Sequence, residues 1–284
     1  MSFTVSAFPA EAFGVDVVLA PVAASLTDPT MDEGFMQMAP GEFLAVLDGV
    51  GRVHVTRDRV TVGLEPGQSV EQLDYVMYGW VPRWIRILRE EYALHASAVR
   101  FANHAIAVMG FSGAGKSTTV TALTQLGYDL IIDDVVPVDF ESGKPYTSGW
   151  SRPVHLTDEA AEQLGITSTT RIGPRQNRKL ATNMPSVTGR WPLATAIELS
   201  PDPKARTVSV TPLSGAAKFQ AVLNHSNTSG ASAGNGRSAT FFDWATRLTN
   251  SIDVFRITRP TQDWSLPGVI DAVRAVLDQG KEQE

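Results

Sequence analysis

The stretch Gly110-Phe-Ser-Gly-Ala-Gly-Lys-Ser-Thr118 decides how the rest of this chain is read. It follows the apolar run Ile106-Ala-Val-Met109 and precedes Val120 and Leu123, which recur at helical spacing. A buried strand is therefore predicted to run into a glycine turn that opens a helix from Lys116 to Leu126, stopped by Gly127. Glycines let such a turn curl until successive backbone N–H groups face a single anion. The positive end of the following helix points at the same place. Lys116 has the reach of a point charge for terminal phosphates, and the Ser117 hydroxyl suits Mg²⁺. The pattern G-x-x-x-x-G-K-[ST], in this strand-to-helix setting, predicts a site for a nucleoside triphosphate with Mg²⁺. Gly110, Ser112, Gly113, Ala114, Gly115, Lys116, Ser117 and Thr118 would form the cradle.

Working outward, Leu130-Ile-Ile132 reads as a second buried strand that ends at Asp133-Asp134. Strand, helix and strand at this spacing predict a crossover unit. In a parallel α/β sheet the ligand crevice lies at the C-terminal strand ends, so both carboxylates are expected beside the loop. One can hold the metal and the other can accept the proton of an attacking hydroxyl, and the sequence does not divide the roles. Upstream, His95 lies in Leu94-His-Ala-Ser-Ala-Val99. A lone histidine among apolar neighbours is more often a core residue. His54, His104, His155 and His225 are read that way, since the five show no metal-ligand spacing.

The remaining patterns are simpler. Val53, Val55, Val60, Val62 and Leu64 alternate on either side of Arg57-Asp58-Arg59, which predicts a hairpin. Tyr75, Tyr78, Val81, Trp84, Ile85 and Leu88 recur at helical steps, with Pro82 expected to kink or restart the helix. Arg83, Arg86 and Arg89 share another face, for which a solvated surface is preferred over a phosphate or partner site. Thr157 or Asp158 can cap a short helix ending at Gly165. Ala196–Leu199 and Val208–Val210 look like an antiparallel pair, Phe241–Leu248 a helix and Val254–Ile257 a strand. Pro267 opens a last helix with Val269, Ile270, Val273, Val276 and Leu277 on one face. Residues 226–240 are small and polar and are expected to form a flexible loop, either a lid or a plain insertion.

Composition sets the outer bounds. The chain has 284 residues, 43% hydrophobic and 19% charged, enough to bury a sizeable core. Its net charge of −6 argues against a sequence-independent nucleic-acid binder. It has no cysteine, which excludes disulfides and thiolate zinc sites. No signal peptide and no apolar run near the roughly 18 residues of a membrane span are recognisable, so a cytoplasmic protein without membrane partners is expected.

The run from Leu94 to Val138 resembles the kinase core of the HPr kinase/phosphorylase family. A histidine near a strand start, the form Gly110-Phe-Ser-Gly-Ala-Gly-Lys-Ser117, an apolar helix and a strand ending in Asp-Asp carry the likeness. Looser features resemble the branch found in peptide natural-product clusters, including lasso-peptide precursor kinases. These are the pair Arg178-Lys179, Trp191-Pro-Leu-Ala194, Pro212-Leu-Ser-Gly215 and Val254-Phe-Arg-Ile-Thr-Arg-Pro260. The resemblance implies an α/β fold: a P-loop kinase core of the HPr kinase type, a mixed sheet with flanking helices, over 91–284. A small β-rich N-terminal domain over 1–90 would precede it.

The same resemblance implies phosphoryl transfer from ATP to a serine-type hydroxyl of a peptide or small protein, with Lys116, His95, Asp133 and Asp134 catalytic. Ser117, Asp133 and Asp134 would hold the metal, and Arg178 and Lys179 would steady the nucleotide or else be solvated. His95 is followed by Ala96 where bifunctional members carry glycine, and their C-terminal signature loop is not recognisable, which weighs against the reverse reaction. Since some members are hexamers, a homo-oligomer is compatible with the chain. A small-molecule hydroxyl kinase and a nucleotide-dependent scaffold with weak ATPase activity are the alternatives. A GTPase is disfavoured because no N-K-x-D motif is present.

Overall fold

The computed structural model describes residues 8, 10–150, 152–172, 179–226 and 239–281. Arg178 and most of the small polar stretch, 227–238, lie outside the described residues. The chain begins with α1 (Ala10–Phe13), β1 (Asp16–Leu19), β2 (Met31–Asp32), β3 (Met36–Ala39), β4 (Glu42–Leu47), β5 (Gly51–Thr56) and β6 (Arg59–Leu64). Helices α2 (Asp74–Gly79) and α3 (Val81–Leu88) follow, then β7 (Ala93–Leu94), β8 (Ala96–Phe101), β9 (His104–Met109), α4 (Lys116–Gln125) and β10 (Asp129–Ile132). Next come β11 (Val136–Pro137), β12 (Asp139–Glu141), β13 (Lys144–Ser148), β14 (Val154–Leu156), α5 (Asp158–Gln163), β15 (Thr170–Ile172) and β16 (Lys179–Thr182). The chain closes with β17 (Arg190–Pro201), β18 (Ser209–Leu213), α6 (Gly215–Asn224), α7 (Ala239–Ser251), β19 (Asp253–Arg259) and α8 (Leu266–Lys281).

The first six strands form one sheet in the order β1-β6-β5-β4-β3-β2. The expected hairpin is β5–β6, with Val53 opposite Val62 and Val55 opposite Val60, all four buried on one face. Pro82 lies in the first turn of α3, where its missing N–H breaks no helical bond, so the helical segment restarts there. On α3, Trp84 stacks on Phe43 of β4 with ring centroids 5.1 Å apart, which fixes the helix against this sheet.

The central sheet runs β10-β8-β9-β17, with β19 and then β18 beyond β17. Strands β9, β17 and β19 are parallel neighbours, and β8 is antiparallel to both β9 and β10. The period of two divides the side chains between two cores. Ala105, Ala107 and Met109 face a core shared with β4–β6, α2, α3 and α7. Ile106 and Val108 face the opposite core, under α4 and α8. The apolar face expected for α8 is buried in that second core. Thr157 caps α5 by accepting from the Ala160 backbone N–H at 3.1 Å. Among the described residues no helix is long and apolar enough to cross a membrane.

The expected crossover through α4 is present: β10 points the same way as β9, with β8 between them. Sequence spacing fixes direction, whereas β8 gains its place through a hairpin with β9. Two expectations need correction. The pair of Ala196–Leu199 with Val208–Val210 is absent, because β19 inserts between β17 and β18. Nor is the arginine row on α3 a solvated face. Arg86 lies over the rings of Phe13 and Trp150, at 5.6 and 5.4 Å, and Arg89 donates to the carbonyls of Phe13 and Arg57. Arg83 belongs to the site described below.

A tight approach supports β10 from behind. A Cβ placed on Gly149 would lie 2.0 Å from the Ile131 carbonyl oxygen. Gly149→Ala is therefore expected to destabilise the fold by about 1–3 kcal/mol, read as a lower urea midpoint with an unchanged slope.

Candidate functional site

Strand direction assembles the site. Strands β9, β10, β17 and β19 all point the same way, so the residues that follow them emerge at one edge of the sheet. Strand β8 runs the other way, so His95, immediately before it, emerges at that edge too. A cavity of about 660 Å³ lies there, lined on one side by Ser112 to Thr119 and on another by His95, Asp133 and Asp134. Gly110 closes the loop from below rather than lining the cavity.

The glycine loop joins β9 to α4 as expected. Gly115 is the N-cap of α4 with φ of +104°, a left-handed backbone that L side chains rarely adopt. Lys116 is buried, and its Nζ donates to the carbonyls of Gly110 at 2.9 Å and Phe111 at 3.3 Å. Burial pushes its ammonium pKa down to about 8, against the opposing pull of Asp134 and Asp133.

The two adjacent aspartates have opposite surroundings. Asp133 is 1% exposed and, among the described residues, accepts from neutral donors: Ser97 Oγ at 2.5 Å, Ser117 Oγ at 2.9 and 3.1 Å, and the His155 backbone N–H at 3.3 Å. Asp134 faces cations. Arg83 Nη2 lies 2.6 Å from its Oδ1, Arg152 Nη1 lies 3.6 Å from Oδ2, and His95 Nε2 lies 3.3 Å from Oδ1. Its φ of +70° is uncommon for a residue with a Cβ and turns its side chain away from that of Asp133. Burial raises the Asp134 pKa, but Arg83, the His95 hydrogen bond and Arg152 outweigh it and hold the carboxyl well below the usual range.

His95 is held from both ends. Its backbone N–H donates to the His225 carbonyl at 2.6 Å. His225 Nε2 is 2.9 Å from Glu198, whose other oxygen accepts from Arg256 at 2.6 Å. The structural reading of His225 thus holds, and it also positions His95. Burial lowers the His95 pKa, with the neighbouring Asp134 carboxylate opposing it. His155, expected to be a plain core residue, instead lines the cavity; burial and then Arg152 lower its pKa to about 4.

Lys179 opens β16 and lines the same cavity, whereas Arg178 lies outside the described residues. Sequence reasoning missed Arg83 and Arg152, which bind Asp134. It also missed Tyr75 and Trp80, which line the wall beside them, and Arg259, whose Nε donates to the Ala114 carbonyl at 3.0 Å. The three-residue arginine spacing on α3 was a visible signal, but its partner stands 51 residues away in the chain.

The chemistry of the donors suits a hard cation. Ser117 Oγ touches both oxygens of Asp133, and among the described residues no cationic side chain hydrogen-bonds to that carboxylate. Among the described residues, no group of three or more His, Cys, Asp or Glu side chains could hold a metal alone. A metal here would draw its other ligands from phosphates and water, as Mg²⁺ does.

No family model matches the chain, and no curated protein matches it. Among solved structures, it is similar to the Hpr(Ser) kinase/phosphatase from Coxiella burnetii. The identity is 12% and the TM-score 0.35, over 67% of this chain and 97% of that one.

The charge arrangement around His95 is directly measurable. In Arg83→Gln the His95 pKa is expected to rise, because the lost guanidinium disfavoured its protonated form. NMR titration of the imidazole resonances reads this, and an unchanged or lower value would contradict the geometry.

Proposed function

We propose that this protein is a kinase that transfers the γ-phosphoryl group of ATP to a hydroxyl. The observation that carries this reading is the meeting, in one cavity, of the glycine loop with Lys116, the Ser117–Asp133 pair, and a second carboxylate held by Arg83, Arg152 and His95. A loop that only binds phosphate has no need of the second carboxylate. An acceptor hydroxyl needs one.

In this reading the backbone N–H groups of 111–117 and the Lys116 ammonium hold the β- and γ-phosphates. Ser117 and Asp133 would hold Mg²⁺, which supplies charge neutralisation to the phosphates when bound. Arg83 and Arg152 keep Asp134 ionised and aimed, and His95 donates to it from the other side. Asp134 accepts the hydrogen bond of the incoming hydroxyl and takes its proton as the oxygen–phosphorus bond forms and the bond to the β-phosphate oxygen breaks. A carboxylate of such low basicity acts mainly by orientation, which suits a transition state with little bond formation to the nucleophile. Lys179, and Arg178 beside it in sequence, remain candidates for charge stabilisation.

The finer proposal is a serine-type acceptor on a peptide or small protein, of the lasso-peptide precursor kind, which rests on the sequence resemblance. Tyr75, Gly79 and Trp80 line the cavity next to Arg83, which supports a part for the N-terminal region in receiving the acceptor.

Lys116→Ala should lower phosphotransfer about 10³-fold or more. Asp133→Asn and Asp134→Asn should each cripple turnover, by about 10²-fold, with smaller losses in ATP binding. Labelled ATP with candidate acceptors measures this; near-normal turnover in both Asp variants would sink the assignment, and free phosphate as the sole product would favour a scaffold with ATPase activity.

The pH dependence carries its own sign. The ammonium form of Lys116 is the one that binds phosphate, and its pKa in the free protein is about 8. ATP affinity should therefore fall as pH rises through that value, with binding coupled to proton uptake. Calorimetry at about pH 8.5 in buffers of different ionisation enthalpy reads the uptake. Release or zero exchange would remove Lys116 from phosphate contact.

A further inference from the structure

Besides the glycine loop and the carboxylates, the cavity is lined by Arg259, Thr261, Asp263, Trp264, Ser265 and Leu266. Strand order gives these residues a side. The glycine loop follows β9. The carboxylates follow β10, on one side of it across β8, and the segment 260–265 follows β19, on the other side across β17. Lys116, Ser117, Asp133 and Asp134 gather at the first side, where the terminal phosphates would lie if the kinase reading holds. The triphosphate chain then leads its nucleoside toward the second.

That second side is a built wall. Ser265 Oγ donates to the Pro260 carbonyl at 3.1 Å, and Gln262 Nε2 donates to the Pro203 carbonyl at 3.2 Å. Arg259 binds both the wall and the loop: its Nη1 donates to the Pro260 carbonyl at 3.1 Å, and its Nε donates to the Ala114 carbonyl at 3.0 Å. Within this pinned segment Trp264 lines the cavity and is 36% exposed, Asp263 is its neighbour in sequence, and Leu266 and Val269 of α8 also line the cavity. A large aromatic face left open in a cavity otherwise rich in charge asks for a flat, polarisable partner.

We infer that residues 259–266 form the nucleoside subsite, in which Trp264 stacks on the base and the Asp263 carboxylate accepts from ribose hydroxyls. The inference rests on the kinase reading only for the direction of the phosphate chain. Stacking is tolerant of base identity, so adenine and guanine nucleotides are both accepted. A carboxylate beside the sugar favours ribose over deoxyribose. Arg259 ties the base wall to the phosphate cradle through its bonds to the Pro260 and Ala114 carbonyls.

The test compares two ligands by calorimetry: ATP and inorganic tripolyphosphate, each with Mg²⁺. Trp264→Ala should weaken ATP binding about tenfold or more while leaving tripolyphosphate affinity unchanged. Trp264→Phe, which keeps a ring and guards against a folding defect, should restore most of the loss. Unchanged ATP affinity in Trp264→Ala overturns the subsite, and so does an equal loss for both ligands, which would mark Trp264 as a support for the loop. A wild-type protein that binds tripolyphosphate but gains nothing from the nucleoside also overturns it while sparing the phosphate site. Failure to bind either ligand overturns the kinase reading together with this one, and Lys116→Ala serves as its separate control.

Discussion

Two carboxylates side by side at a strand end set the terms for this molecule. A buried or half-buried carboxylate needs partners, and two adjacent ones repel each other unless their partners differ. The fold answers by turning them apart. Asp133 points into hydroxyls and a backbone N–H, and Asp134, on a left-handed backbone, points into two guanidinium groups and an imidazole. Meeting those demands draws in α3, the start of β8, the segment after β13 and the start of α4. Elements far apart in the chain are thereby tied to one point.

The same arrangement explains why the N-terminal strands belong to the functional story. Helix α3 is fixed to their sheet by Trp84 on Phe43, and it delivers Arg83 to Asp134. The arginine row on α3 is divided by purpose: Arg83 serves the carboxylate, Arg86 lies on two aromatic rings, and Arg89 satisfies loop carbonyls. The small side chains on one face of β8 and β9 allow the shared core to close up behind the cavity. Losing Trp84 would therefore disturb Asp134 as well as packing. A truncation to alanine at such a position costs about 3–5 kcal/mol.

Electrostatics then grades the cavity from end to end. Burial makes the Lys116 ammonium give up its proton more readily than a surface lysine does, while Arg83, His95 and Arg152 make Asp134 a weaker base. Burial disfavours the protonated form of His95, against the pull of Asp134. Pairs of groups whose environments move their basicities in defined directions are a mark of functional sites, although structural ion pairs do the same. The open indole of Trp264 at the other end has no such structural use, since it faces the cavity rather than the core.

The local features were legible in the sequence because local rules decide them. The glycine loop and α4, the β5–β6 hairpin, the restart at Pro82, the Thr157 cap and the apolar face of α8 all follow from spacing of a few residues. The placing of the Asp pair beside the loop followed from the rule that parallel strands present their C-terminal ends together. What tertiary structure alone decided is who stands next to whom. The insertion of β8 between β9 and β10, and of β19 between β17 and β18, comes from pairing and core packing across long separations. Arg83 and Asp134, 51 residues apart, meet for the same reason, and so do Arg259 and Ala114, 145 residues apart. No short window of sequence encodes such distances. A side chain's charge is visible in the letters, but the partner that gives it a role is chosen only when the chain closes on itself.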